Sequence, residues 1–304
     1  MYNFLFHRIS PERDALWDPI DPKLFERCVK FITNKYEVVR IEDFVENPSP
    51  NHQKLASIVF DDGYHDNWEY AAPILDKYGV KASFYVVTDC IDNNVPTWTH
   101  VLENYLQHSQ KLKLLLSFDF LASETQTVQF QNVTERVSWA QGFLPKLKLL
   151  THEQRTQVID AIKNQCVDVV LPAFMMNWNE VRDLKNAGHY IGSHTVTHSM
   201  LGTMSKDEDQ LFELKQSAAR IEAELGYFPK TISYPVGSYN ERTAVLAKEV
   251  GYKLGLAVKQ DRFNPNSDGV FEIPRINLSN EPWWKTKLRL TNTIEDIKKL
   301  VRYK

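Results

Sequence analysis

Short apolar runs alternate with amphipathic segments along most of this chain, the pattern of successive β/α units around a mainly parallel sheet. The apolar runs predict strands at Asn3 to Arg8, Ala56 to Phe60, Ala82 to Val87, Tyr190 to Ser193, Thr231 to Tyr234, Leu254 to Val258 and Phe271 to Ile273. Helical stretches lie between them over Asp66 to Tyr78, Trp178 to Ala187, Lys206 to Leu225 and Asn240 to Val250. Each is followed at once by a glycine (Gly79, Gly188, Gly226, Gly251). Glycine there accepts the left-handed backbone that ends a helix. From about Cys90 to Phe174 the rhythm breaks into a Lys/Leu-rich piece at Lys111 to Leu116, a polar run at Ser123 to Gln131 and a further helical piece at Thr151 to Gln165. This stretch, about 90–174, reads as an insertion between two β/α units of one domain spanning 1–304. Inserts of this kind either cover an active site or are surface excursions.

Two of the predicted strands run into chemically loaded ends. Ile58-Val59-Phe60 breaks into Asp61-Asp62-Gly63, and Tyr190-Ile191-Gly192-Ser193 breaks into His194-Thr195-Val196-Thr197-His198. Two imidazoles four residues apart reach one ion if that segment turns helically. One carboxylate with two histidines is an open divalent-metal site, and the second carboxylate is left over as a base. Singly, each motif is weak. With 9 histidines in 304 residues, chance supplies about 0.3 pairs at this spacing, and Asp-Asp-Gly is more often a turn. Together they supply complementary halves of one site. In barrel enzymes catalytic groups sit at the C-terminal strand ends, so these two segments are expected on one face.

Composition narrows the picture only a little. Hydrophobic content of 43% and charged content of 25% fit a globular chain, and a net charge of -3 gives no electrostatic case for nucleic acid as partner. Cys28, Cys90 and Cys166 lie far apart without a CxxC pair, which suggests reduced thiols rather than a disulfide framework or a thiolate zinc site. No run of about 18 apolar residues occurs, and Met1 to Arg8 lacks the basic and apolar regions of a signal peptide. The expectation is a cytoplasmic protein, although a secreted chain with its leader removed would present the same start.

The chain resembles the NodB-type polysaccharide deacetylases of carbohydrate esterase family 4. Val59-Phe60-Asp61-Asp62-Gly63 is similar to that family's first motif, which implies Asp61 as catalytic base and Asp62 as a metal ligand. Ser193-His194-Thr195-Val196-Thr197-His198 resembles its second motif, whose histidines complete the metal triad. Phe6-His7-Arg8-Ile9-Ser10 resembles the "YHRV" opening of family members, and Asp66-Asn67-Trp68 through Phe84-Tyr85-Val86 resembles the helix and strand after the first motif. Ser233-Tyr234-Pro235-Val236-Gly237-Ser238-Tyr239 resembles a "YPYG" segment whose backbone N–H, here that of Val236, serves the oxyanion. Val236 stands where that segment has an aromatic. Ile273-Pro274-Arg275-Ile276-Asn277 resembles the segment whose arginine orients the base.

The resemblance covers residues 1 to about 90 and 175 to 280 and leaves the insert unmatched. It implies a distorted (β/α) barrel of about seven strands and a divalent metal, Zn²⁺ ahead of Co²⁺, Ni²⁺ or Mn²⁺. It also implies hydrolysis of N-acetyl groups on a polysaccharide or a lipid-linked glycan precursor. The alternatives are a same-fold hydrolase of another small amide, as in allantoinase-like relatives, and a glycan-binding homologue that has lost catalysis. One departure stands out. The family's Leu-x-His general acid has no counterpart, because no histidine follows His198. His7 and His65 remain as substitutes; His7 has the better position, and His65 reads as an exposed helix start. The tail from about Glu281 to Lys304 is basic with interleaved apolar positions. It reads as a docked terminal helix, with a weak peripheral membrane contact as the alternative.

Overall fold

The computed structural model describes residues 1–46 and 51–302. It divides into two compact units, one of residues 1–12, 19–94 and 174–304 and the other of residues 13–18 and 95–173. In chain order the strands are β1 (Tyr2–Phe6), β2 (Glu37–Val38), β3 (Leu55–Phe60), β4 (Ser83–Val86), β5 (Lys113–Leu115), β6 (Thr127–Gln129), β7 (Tyr190–Ser193), β8 (Thr231–Ser233), β9 (Leu254–Leu256) and β10 (Ile276–Asn277).

In the first unit the strands form one parallel sheet in the order β10-β1-β3-β4-β7-β8-β9, with β2 on the β3 edge. Ile273 bridges Leu256 of β9, and Ile276 and Asn277 pair with Phe4 and Leu5 of β1. Residues 273–277 therefore close the sheet into a distorted (β/α) barrel. The last strand lies a few residues beyond the predicted Phe271 to Ile273. Pro274 has no N–H to give a ladder, so Ile273 makes only a single bridge and regular pairing begins after it.

Alternation along the strands separates two layers of packing. Leu5, Val59, Tyr85 and Leu256 belong to one cluster with Ile41, Phe44 and Ile273. Phe6, Phe60 and Phe84, paired in register across β1, β3 and β4, point the other way and stack on one another at 5.5 and 4.7 Å, with Phe25 edge-on to Phe6 and Phe60. Since successive side chains face opposite sides, burying Phe6 and Phe60 in this outer ladder turns His7 and Asp61 toward the mouth of the barrel.

The helices follow their local signals. The helix Pro22–Lys35, absent from the sequence reading, begins with an Asp21 cap accepting from the Lys23 N–H and a proline in the first turn. Asp207–Leu225 and Glu241–Val250 end on Gly226 and Gly251 with φ of 74° and 116°, which only glycine adopts without penalty. The predicted Asp66 to Tyr78 helix is a wide turn over Asn67–Ala71 continuing as Ala72–Lys77. The tail forms two helices, Trp283–Leu290 and Thr293–Arg302, with Trp283 packed on Phe31 and under the Arg27 guanidinium.

The second unit has its own core, in which Leu102, Leu106, Leu114, Ala140, Phe143, Val158 and Ile162 are buried between helices Trp98–His108, Val133–Leu147 and His152–Gln165 and the antiparallel β5–β6 ribbon. Arg136, fully buried, donates to the carbonyls of Leu106, Ser109 and Lys111 and so ends the first of these helices. Among the described residues no helix is long and apolar enough to cross a membrane.

Candidate metal centre

Asp61 and Asp62 follow β3, His194 follows β7, and Val236 follows β8, so the parallel sheet delivers all four at its C-terminal edge. Asp62 Oδ1 lies 3.3 Å from His194 Nε2 and 3.2 Å from His198 Nε2. The three donor atoms sit within 4.8 Å of one another, and all three residues are buried. His194 Nδ1 faces the Ser233 carbonyl at 2.8 Å. That contact places the proton on Nδ1 and leaves the Nε2 lone pair facing the cluster. Among the described residues no hydrogen bond satisfies the buried Asp62 Oδ1. A buried carboxylate oxygen and two imidazole nitrogens converging on one point fit a divalent cation, which would satisfy all three at once.

The histidines converge by a route other than the predicted helical turn. Residues 194–198 form no helix, and Thr195 and His198 are left-handed, with φ of 69° and 61°. Of the six described non-glycine residues with positive φ, four are Asp62, Thr195, His198 and Val236. Such conformations are unfavourable outside glycine, most of all for the β-branched Thr195 and Val236, and their concentration marks the strand ends as a strained site.

Asp61 is held apart from the triad. Arg275 Nη1 reaches its two oxygens at 2.8 and 2.9 Å, Ser233 Oγ donates to Oδ2 at 3.0 Å, and His194 Nε2 is 3.9 Å away. Burial would raise the Asp61 carboxyl, but Arg275, then His194 and His7, outweigh it and hold it below the usual carboxylate range. Burial would raise the Asp62 carboxyl as well, but the His194 and His198 rings facing it outweigh burial and drive it further down. His7 is densely surrounded yet keeps part of its surface open. Burial lowers its pKa, opposed by Asp62 and Asp61, so its ring lies within the field of the site. Asn67 Nδ2 fixes the His7 carbonyl at 2.6 Å, and Asp66 in turn binds Asn67 and Arg8. His65 turns elsewhere, to Glu180 at 3.1 Å and Glu69 at 3.8 Å.

Ser233 opens the Ser233–Tyr239 segment, but the sequence assigns it no role of its own. It serves two site residues, its hydroxyl holding Asp61 and its carbonyl holding His194. Glu213 was also missed. It is a buried acid in phase with Leu214, Ser217 and Ile221 on the helix Asp207–Leu225.

Barrel, buried His/Asp triad and clamped second aspartate together define a (β/α)-barrel protein with a candidate metal centre at its strand ends. The sequence profile of the polysaccharide deacetylase family matches residues 49–255, and the chain belongs to that family. Membership implies a hydrolase of carbon–nitrogen bonds other than peptide bonds, with an acetylated sugar as substrate. The "Putative polysaccharide deacetylase YxkH" of Bacillus subtilis (strain 168) is 22% identical over 280 residues, covering 90% of this chain and 70% of its own length. Two solved structures share the fold. The deacetylase PplD of Streptococcus pyogenes, in complex with acetate, has a TM-score of 0.60 at 20% identity with 92% of each chain covered. A de-N-acetylase of Aggregatibacter actinomycetemcomitans has a TM-score of 0.58 at 15% identity, with 95% of this chain and 98% of that one covered.

Proposed function

We propose that this chain is a metal-dependent deacetylase that hydrolyses the N-acetyl groups of N-acetylated sugars in a polysaccharide, releasing acetate and a free amine. The observation that carries the reading is the convergence of Asp62, His194 and His198 on one point, with Asp61 beside them and fixed by Arg275. Asp62, His194 and His198 would hold the ion, and one carboxylate with two imidazoles suits Zn²⁺, ahead of Co²⁺, Ni²⁺ or Mn²⁺. When bound, such an ion supplies a Lewis acid for the acetamido carbonyl and acidifies water.

The chain's own groups do the rest. Asp61, kept ionised by Arg275, accepts the proton of the attacking water. Ser233 and Arg275 occupy its oxygens from fixed directions, so the carboxylate arrives already oriented. The Val236 N–H, in a left-handed turn closed by Gly237 and Ser238, donates to the developing oxyanion, a contact worth about 3 kcal/mol. His7 takes the role of the absent distal histidine and protonates the departing amine. Asn67 holds its backbone in place.

The test pairs metal analysis with product release. Wild type should carry near-stoichiometric metal, lost in His194→Ala. It should release acetate from N-acetylglucosamine oligomers, falling about 10²- to 10⁴-fold in Asp61→Asn with the metal retained. A wild type that takes up no added Zn²⁺ refutes the mechanism. Activity confined to ureides or other small amides would move the chain to a different substrate class, and glycan binding without acetate release would make it a binding protein.

A further inference from the structure

We propose that Glu213 is a positioning residue that holds the His194–His198 loop in its metal-binding conformation and thereby sets the affinity of the site. The inference rests on the metal reading above. Glu213 sits mid-way along the helix Asp207–Leu225 and is 4% exposed. Its Oε2 accepts the N–H groups of Val196 at 2.7 Å and Thr197 at 3.0 Å, and its Oε1 accepts the Thr197 hydroxyl. On the other side of the loop, the N–H groups of Thr88 and Asp89, opening the helix Thr88–Asn93, donate to the carbonyls of Thr195 at 3.2 Å and Val196 at 3.0 Å. The Thr195 N–H donates to Ser193 Oγ at 3.3 Å. Three of the four peptide groups between the two histidines, from Thr195 N to Thr197 N, are pinned in this way.

A loop this short with two left-handed non-glycine residues, Thr195 and His198, is strained, and it would relax if its peptide groups were released. Relaxation at His198 swings its imidazole off the point shared with Asp62 and His194. A carboxylate buried in mid-helix has no capping role to play, and burial of its charge is costly unless donors meet it. Here all three donors come from the loop. The acid on this helix therefore acts on the metal site without touching the metal.

The experiment measures Zn²⁺ and Co²⁺ dissociation constants by chelator competition, together with the melting temperature of the metal-free protein and the visible spectrum of the Co²⁺ form. Glu213→Gln keeps the shape but loses the charge and one acceptor, and should weaken binding 10- to 100-fold, the range seen when outer-shell partners are removed, with an altered Co²⁺ spectrum. Thr197→Val changes an exposed residue that donates to the same carboxylate, and should weaken binding less but in the same direction, even if Glu213→Gln folds poorly. Gln210→Ala loses a bond to Thr243 from the same helix face without touching the loop. It should bind like wild type whatever its melting temperature. Wild-type affinity in both Glu213→Gln and Thr197→Val overturns the proposal, as does an equal loss in Gln210→Ala, which would reduce Glu213 to a packing residue. A wild type that binds neither ion overturns the functional reading and this one with it.

Discussion

Arg275 illustrates how much a single residue does here. It is fully buried, bonded through Nε to the Ala257 carbonyl and through Nη1 to both Asp61 oxygens. Removing it leaves a buried carboxylate uncompensated. Arg275→Met should therefore lose about 3–5 kcal/mol of stability in urea unfolding. It should also move the acid limb of the kcat/KM profile to higher pH, because the charge that most opposes the effect of burial on Asp61 is gone. A variant with an unchanged acid limb would mean that Arg275 supports the fold and not the base. At this scale Asp61, Asp62, His194 and His198 are legible in the chain as candidates, since their types and their places after strands together suggest a metal site. Ser233 and Glu213 are not. A serine in a strand and a glutamate in a helix are ordinary, and only proximity gives them work.

The elements follow sequence signals closely where those signals are local. Glycine ends four helices, asparagine caps at Asn177 and Asn240 open two of them with reciprocal side-chain bonds, and β-branched or aromatic runs become strands. Misreadings arise where a neighbour intervenes. Pro274 shifts the last strand, and the His194–His198 turn takes left-handed residues at Thr195 and His198 in place of the expected helical turn. His189 joins two elements at the opposite end of the sheet, its Nδ1 accepting the Ala82 N–H at 3.0 Å just ahead of β4 and β7. Burial, with Lys81 nearby, lowers its pKa from 6.5 to about 4. A histidine kept neutral in the folded protein contributes stability above pH 6.5 that is lost as pH falls from 6.5 toward 4, while the unfolded chain takes up the proton. The span corresponds to about 3 kcal/mol. His189→Gln should flatten the stability profile over this window by up to one proton's slope, read from urea midpoints at stepped pH. Equal slopes in the two proteins would remove His189 from the account.

For the whole molecule, the candidate metal centre joins residues more than 130 positions apart, so an ion bound there would also be folding energy. At free Zn²⁺ a hundredfold above Kd the gain is about 2.7 kcal/mol, visible as a higher melting temperature that chelator reverses and that His194→Ala lacks. Asp61 and Asp62 outweigh burial to raise the His194 pKa in the metal-free protein. Since the metal needs the neutral imidazole, the stabilisation should shrink as pH falls through that raised value. A metal-induced shift of equal size in His194→Ala would place the ion elsewhere. By itself the chain determined the β/α alternation, the helix ends, and the residue types and strand-end positions of two aspartates and two histidines, because propensity, periodicity and donor chemistry are properties of neighbouring residues. The family resemblance already implied the division between Asp61 and Asp62 and the place of Arg275; only the tertiary structure decided that Ser233 joins Arg275 on Asp61, and that a loop left-handed at Thr195 and His198 and gripped by Glu213 carries His198. Those outcomes depend on which strand ends adjoin in the closed barrel and on what packs against them, and contacts of that range are set by packing rather than by local sequence.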